Sequence, residues 1–342
     1  MFNKVKDVIS PAEVKKELPL TAKQTAQKAA FDSAVKNIIS GADARKLIII
    51  GPCSADNEDS VCDYVSRLAS LQEKAKDVLF LVPRIYTNKP RTRGDGYKGM
   101  LHNPDPTKGT DIQEGIIHIR RMHLRATSES GLFAADEMLY PENHTYLDDL
   151  LSYVTIGARS SENQQHRLVA SGVDVPIGIK NPMNGSFTVL LNSIYASQIE
   201  SEFKYQNMQV RTDGNPYAHA VLRGSVDVHG NNIPNYHYED VIRFSKMYSA
   251  EGLKNPAVII DTNHSNSGKS YIEQIRIAEE IAYNVKKYGD FSKLVKGLLI
   301  ESYIVDGNQP AGGTVYGKSI TDACLGWEKT EKLIFKLADT LA

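Results

Sequence analysis

Short apolar runs recur along the chain, and most hand over to a charged or metal-competent side chain at their C-terminal end. They are Leu47-Ile48-Ile49-Ile50, Val78 to Val82, Leu132 to Ala135, Val154-Thr155-Ile156, Pro176 to Ile179, Ala218 to Leu222, Ala257 to Ile260 and Gly297 to Ile300. Their Ile, Val and Leu content, with little polar alternation, predicts strands covered on both faces. Between them lie segments with helical period, at about 58–74, 111–129, 143–151, 161–171, 186–196, 237–252, 269–287 and 320–340. Asp59, Thr110 and Thr321 stand where N-caps are wanted, and Gly131 and Gly252 where helices should stop. Strand then helix, eight times over, predicts an α/β fold of the parallel (β/α)8 TIM-barrel type. A doubly wound open sheet shares the alternation, so the count of eight carries the choice.

Two segments break the rhythm. Residues 1–44 precede the first strand and contain a helical stretch at about 22–39, an N-terminal extension expected to act as an interface or regulatory element ahead of a single catalytic barrel at 45–342. Residues 198–217 are polar and turn-rich, and predict an inserted loop or hairpin before the sixth strand.

Composition narrows the classes. The 342 residues are 41% hydrophobic and 24% charged with a formal charge of -1, which gives no electrostatic footprint for nucleic acid or an anionic membrane. With no apolar run of membrane-spanning length and no secretory leader pattern, the expectation is a cytoplasmic protein. Three cysteines, Cys53, Cys62 and Cys324, are too few for a disulfide framework.

In a parallel barrel the loops after the strands converge on one face, so scattered residues can form one site. Cys53, His264, Glu301 and Asp322, the last expected to open the final helix, make a mixed soft and hard donor set. Such a set suits Mn, Fe, Co or Zn better than Mg or Ca. Taken singly, each has a plainer reading: a small buried thiol, a hydrogen-bonded loop imidazole, a helix-start charge. A second group is cationic: Arg84, Lys89, Arg91, Arg159, Lys180 and Arg223. Arginine forks and lysine charges gathered at one face predict recognition of phosphate or carboxylate. Lys269 after Gly268 is discounted as a P-loop because the glycine spacing is missing.

These residues fall in motifs that resemble a known family. They are Gly51-Pro52-Cys53-Ser54, Lys89-Pro90-Arg91-Thr92, Gly157-Ala158-Arg159 followed by Glu162 and Gln164, Gly178-Ile179-Lys180-Asn181, Leu222-Arg223-Gly224, Asp261-Thr262-Asn263-His264-Ser265-Asn266, Glu301-Ser302 and Tyr316 to Cys324. In this order they resemble class I 3-deoxy-D-arabino-heptulosonate 7-phosphate (DAHP) synthase, over about residues 45–330. The resemblance implies condensation of phosphoenolpyruvate with erythrose 4-phosphate, at the entry to the shikimate pathway. It implies Cys53, His264, Glu301 and Asp322 as ligands of one divalent ion. It further implies Arg84, Arg159, Lys180 and Arg223 as the phosphoenolpyruvate site, and Lys89, Arg91 and Thr92 as the sugar-phosphate site.

Lys89, Glu137, Lys180 and His264 are the catalytic candidates, with Glu137 favoured as the group that handles the water proton and His264 and Lys89 as rivals. After Thr92 the family has a second Thr and then Trp or Phe, where this chain has Arg93, Asp95 and Tyr97. Its relatives imply an aromatic amino acid effector and a homodimer or homotetramer. The alternatives are the sister synthase that uses arabinose 5-phosphate, which has Ala-Asn-Arg-Ser where this chain has Pro90-Arg91-Thr92, and a non-catalytic regulator that binds phosphorylated metabolites.

Overall fold

A computed structural model describes residues 1–91, 93–105 and 108–342. Eight parallel strands form one sheet: β1 Lys46–Gly51, β2 Leu79–Pro83, β3 Ala134–Glu137, β4 Leu151–Ile156, β5 Ile177–Lys180, β6 Ala218–Leu222, β7 Val258–Asp261 and β8 Val295–Glu301. Their order is β2-β1-β8-β7-β6-β5-β4-β3. The two ends meet where Arg84 bridges Ala135 in parallel and the Ile85 N–H donates to the Ala135 carbonyl at 2.9 Å, so the sheet closes on itself. The (β/α)8 expectation holds.

Pleating sends alternate residues to two different cores. Ile48 and Ile50 belong to the outer layer against the helices, which gathers Leu68, Ile119, Phe244, Ile277 and Leu333. Leu47 and Ile49 point inward with Val82, Tyr153, Val221, Ile259 and Leu299.

The helices are α1 Pro11–Glu17, α2 Ala22–Ser40, α3 Glu58–Ala75, α4 Ile112–Ser130, α5 Gln164–Ala170, α6 Phe187–Gln198, α7 Tyr238–Ala250, α8 Glu273–Lys287, α9 Gly289–Leu294 and α10 Trp327–Leu341. The N-terminal extension is part of the barrel's packing: Val35, Ile38 and Ile39 of α2 join the inward-facing cluster, and Phe31 packs on Phe80 with ring centroids 4.7 Å apart. α2 is therefore the floor of the barrel. Its capping box is built by Thr21 and Gln24, and Gly41 ends it at φ 84°, a conformation that costs glycine little.

Several local expectations need correction. The segment 143–151 holds a 3-10 helix, Pro141–Tyr146, and a turn at 147–150 before β4, because the short span leaves no room for an α-helix. The caps of α3 and α4 are Asn57 and Asp111, whose side chains accept the N–H groups of Ser60 and Glu114, in place of Asp59 and Thr110. The last helix starts at Trp327, so neither Thr321 nor Asp322 opens it. The polar insertion is a hairpin, Ser201–Tyr205 paired antiparallel with Met208–Thr212. Among the described residues no helix is long and apolar enough to cross a membrane.

Candidate active site

Every barrel strand ends at the same face, and one cavity opens there. Its lining includes Cys53, Arg84, Lys89, Arg91, Glu137, Arg159, Lys180, Arg223, His264 and Asp322, with Glu301 fully buried beside Arg84 and His264. All the candidate site residues thus meet, apart from Thr92, which lies outside the described residues.

Cys53 follows β1 and Glu301 closes β8, and register pairing sets Gly51 opposite Glu301. Asp322 comes from the loop after β8. That loop folds back because the Leu325 N–H donates to the Glu301 carbonyl at 3.0 Å and the Tyr303 N–H to the Leu325 carbonyl at 2.7 Å. One ligand atom each of Cys53, Glu301 and Asp322 falls within 4.8 Å of the others. Asn263 Nδ2 donates to Glu301 Oε2 at 2.6 Å and fixes the carboxylate, while Glu301 Oε1 is buried without an aligned hydrogen-bond donor. That oxygen lies 2.7 Å from Arg84 Nη2, and the place of the carboxylate beside a thiol and a second carboxylate fits a cation.

His264 stands at the edge of this group, Nε2 3.9 Å from Glu301 Oε1. Its Nδ1 faces Asp261 Oδ2 at 2.8 Å, a close contact poorly aligned as a hydrogen bond. The carboxylate favours the proton on Nδ1 and leaves the Nε2 lone pair for a metal. Burial lowers the pKa of His264 and so favours its neutral form.

The cations are positioned by buried contacts. Arg84 stacks its guanidinium 4.0 Å over the Tyr86 ring, donates from Nε to the Pro52 carbonyl and lies 2.7 Å from Glu301. Its Nη1 is buried with no protein partner among the described residues. Lys180 Nζ is 3.3 Å from the fully buried Asp261. The Arg223 N–H is received by Asn181 Oδ1 at 2.9 Å, which Asn235 also approaches, so an asparagine network orients that strand end. Arg159 lies exposed at the rim, and neither it nor Arg223 has a carboxylate within ion-pair distance among the described residues.

Lys89 turns inward, Nζ 2.8 Å from Cys53 Sγ and 2.9 Å from Asp322 Oδ2. Burial would push the Asp322 carboxyl up, but Lys89 overrides it and holds the group well below the usual carboxylate range. Burial and the Glu301 charge push the Cys53 thiol up, against the neighbouring Lys89 charge, which favours the thiolate. Arg91 is braced by its Nε donating to the Tyr97 carbonyl at 2.8 Å, and the buried Tyr97 side chain is tied down by its hydroxyl, which donates to the Ala55 carbonyl at 3.0 Å.

A model of the DAHP synthetase I family matches residues 17–334. The chain belongs to this family. As a family member it is 35% identical to the Escherichia coli K12 phospho-2-dehydro-3-deoxyheptonate aldolase, Tyr-sensitive, over 98% of its own length and 93% of the relative's. It is likewise 35% identical to the Phe-sensitive protein of the same organism, over 99% and 96%. The solved phospho-2-dehydro-3-deoxyheptonate aldolase of Francisella tularensis SCHU S4 superposes with a TM-score of 0.92 at 29% identity, covering 100% and 98% of the two chains.

Two side chains at this site were given no role by the sequence of this family member alone. Asp261 is the shared counter-ion of Lys180 and His264, and its position at the last residue of β7 was the available signal. Lys269 lines the cavity mouth although its spacing had excluded a P-loop.

Proposed function

We propose that the chain condenses phosphoenolpyruvate with D-erythrose 4-phosphate and water, giving DAHP and phosphate as the first step of the shikimate pathway. The observation that carries this is the meeting, in one cavity of a DAHP synthetase I family member, of Arg159 and Arg223, which lack carboxylate partners among the described residues, with a Cys, Glu and Asp donor set.

Arg84, Arg159, Lys180 and Arg223 hold the phosphate and carboxylate of phosphoenolpyruvate. Lys89 and Arg91, with Thr92, serve the aldose phosphate. Cys53, His264, Glu301 and Asp322 would hold one divalent ion, Mn, Fe, Co or Zn, with manganese our first choice. Such an ion, when bound, supplies Lewis-acid polarisation of the aldehyde.

In the reaction, C3 of phosphoenolpyruvate attacks the aldehyde carbon and forms the new carbon–carbon bond. Lys89 supplies a proton to the developing alkoxide. Water adds at C2, its proton taken by Glu137, with His264 or Lys89 as the rival acceptor. As the C2–O bond to phosphate breaks, the C2 hydroxyl becomes the ketone and its proton leaves with the phosphate, while Lys180, ion-paired with Asp261, steadies the departing anion. Buried walls keep these charges strong by excluding water.

We read residues 45–342 as the catalytic unit and residues 1–44 as an element that also serves interface or regulation. Relatives carrying Tyr-sensitive, Phe-sensitive and Trp-sensitive names support an aromatic amino acid effector for this chain. The expected setting is cytoplasmic, as a homodimer or homotetramer.

Phosphate release from phosphoenolpyruvate, followed with erythrose 4-phosphate or arabinose 5-phosphate and with metal added or chelated, tests this reading. It predicts metal-dependent release with the four-carbon sugar. Release only with the five-carbon sugar would favour the sister synthase, and none with either would favour a non-catalytic regulator.

A further inference from the structure

The loop after β7 contains two non-glycine residues with left-handed backbone, His264 at φ 50° and Lys269 at φ 64°, with Gly268 between them at φ 58°. Two others of this kind occur among the described residues, Gln206 in the tip of the hairpin and Asn255, an amino acid that tolerates the conformation. A lysine there is disfavoured, and such outliers gather where a side chain must be aimed. The bend is fixed by the Lys269 N–H, which donates to the His264 carbonyl at 2.8 Å, so the backbone of one residue sets the other.

The Lys269 side chain is 66% exposed at the mouth of the cavity, and its Nζ approaches a carboxylate only loosely, Asp322 Oδ1 at 3.9 Å. The other cations near this end of the cavity are more firmly engaged: Lys89 with Cys53 and Asp322, Arg91 with the Tyr97 carbonyl. The two substrates proposed above bring three anionic groups. Arg84, Arg159, Lys180 and Arg223 answer the two of phosphoenolpyruvate. The third is a phosphate three carbon–carbon bonds from the aldehyde, so an aldehyde beside Asp322 places that phosphate toward the rim.

We propose that Lys269 is a binding residue for the phosphate of the aldose phosphate, aimed across the cavity mouth by the left-handed bend at residues 268–269. The proposal rests on the condensation reading above. A flexible ammonium suits this place, since a rim cation can follow the incoming phosphate while Arg91 holds it from the loop after β2.

Steady-state kinetics of Lys269→Met and Lys269→Arg with erythrose 4-phosphate and with unphosphorylated erythrose test it, alongside metal affinity by calorimetry. Lys269→Met should raise KM for erythrose 4-phosphate at least tenfold, and the preference for the phosphorylated over the unphosphorylated sugar should fall by a similar factor. KM for phosphoenolpyruvate and the metal Kd should hold, and Lys269→Arg should recover most of the loss. An unchanged KM for the aldose phosphate overturns the assignment, and so does a weakened metal Kd accompanied by equal losses with both sugars, which would make Lys269 a support for Asp322. A wild-type enzyme without turnover of erythrose 4-phosphate fails the condensation reading itself and takes this proposal with it.

Discussion

The ammonium of Lys89 lies 2.8 Å from the sulfur of Cys53. A cation from the loop after β2 and a thiol from the loop after β1 are thereby joined at the point where Asp322 and Glu301 also converge. Replacement of Cys53 by Ala should lower bound divalent metal per chain at least tenfold and activity at least a hundredfold, with an unchanged circular dichroism spectrum. Metal analysis of the purified variant checks this, and wild-type metal content with wild-type activity would remove Cys53 from the ligand set.

Glu137 should respond to its neighbour Gly157. A Cβ at position 157 would come 2.6 Å from Glu137 Oε1, too close for the carboxylate to stay in place. Gly157→Ala and Glu137→Gln are both expected to lower kcat about 10²-fold or more, in the range of a lost acid–base group. Rapid-quench or steady-state assays of the two variants provide the check, and full activity in both would leave Glu137 without a catalytic task.

The pH dependence of stability should carry a contribution from Asp136. Burial pushes its carboxyl up to about 7 despite hydrogen bonds from Thr87 and from the Glu137 N–H. The unfolded chain releases this proton near pH 4, so between about pH 4 and 7 the folded state binds more protons than the unfolded state. Stability from this group is full below about pH 4 and is lost as pH rises through about 7, with a slope approaching about 1.4 kcal/mol per pH unit mid-window. Urea unfolding at pH 5, 6 and 7 should show that component in the wild type and lack it in Asp136→Asn. Parallel pH profiles for the two proteins would contradict it.

Arg120 should be a main tie between the N-terminal extension and the barrel. Its fully buried guanidinium pairs with both oxygens of Asp149 at 2.8 Å and donates to the carbonyls of Leu18 and Tyr146. Arg120→Met removes these while keeping much of the volume, and leaves a partly buried carboxylate without its partner. A loss of about 3 kcal/mol is expected in denaturant unfolding. A change below about 1 kcal/mol would show that Arg120 is not a main tie.

The barrel was legible because its strands are buried on both faces, so Leu47 to Ile50 and Ala257 to Ile260 read as unbroken apolar runs. The cations were legible for a related reason: Arg84, Lys180 and Arg223 each fall within two residues of a strand's end. Less visible was anything decided by a loop that folds back. Asp322 looked like a helix-start charge, whereas Ser319 Oγ donating to its carbonyl and the Asn308 amide donating to the Thr321 carbonyl hold it in a loop ahead of α10. The pairing of Asp261 with Lys180 joins two strands, so spacing along the chain gives no sign of it, although the place of Asp261 at the end of β7 marks it as facing the site. The role of α2 as a floor was hidden because its apolar residues reach strands from several barrel segments.

The central claim is the joining of three carbons from phosphoenolpyruvate to a four-carbon aldose phosphate. Incubation of the metal-loaded protein with uniformly ¹³C-labelled phosphoenolpyruvate and unlabelled erythrose 4-phosphate, read by mass spectrometry, addresses it directly. The account predicts a seven-carbon 3-deoxy sugar acid phosphate carrying three labelled carbons, formed in equal amount with inorganic phosphate. Labelled pyruvate and phosphate with no seven-carbon product, or no consumption of either substrate, would contradict it.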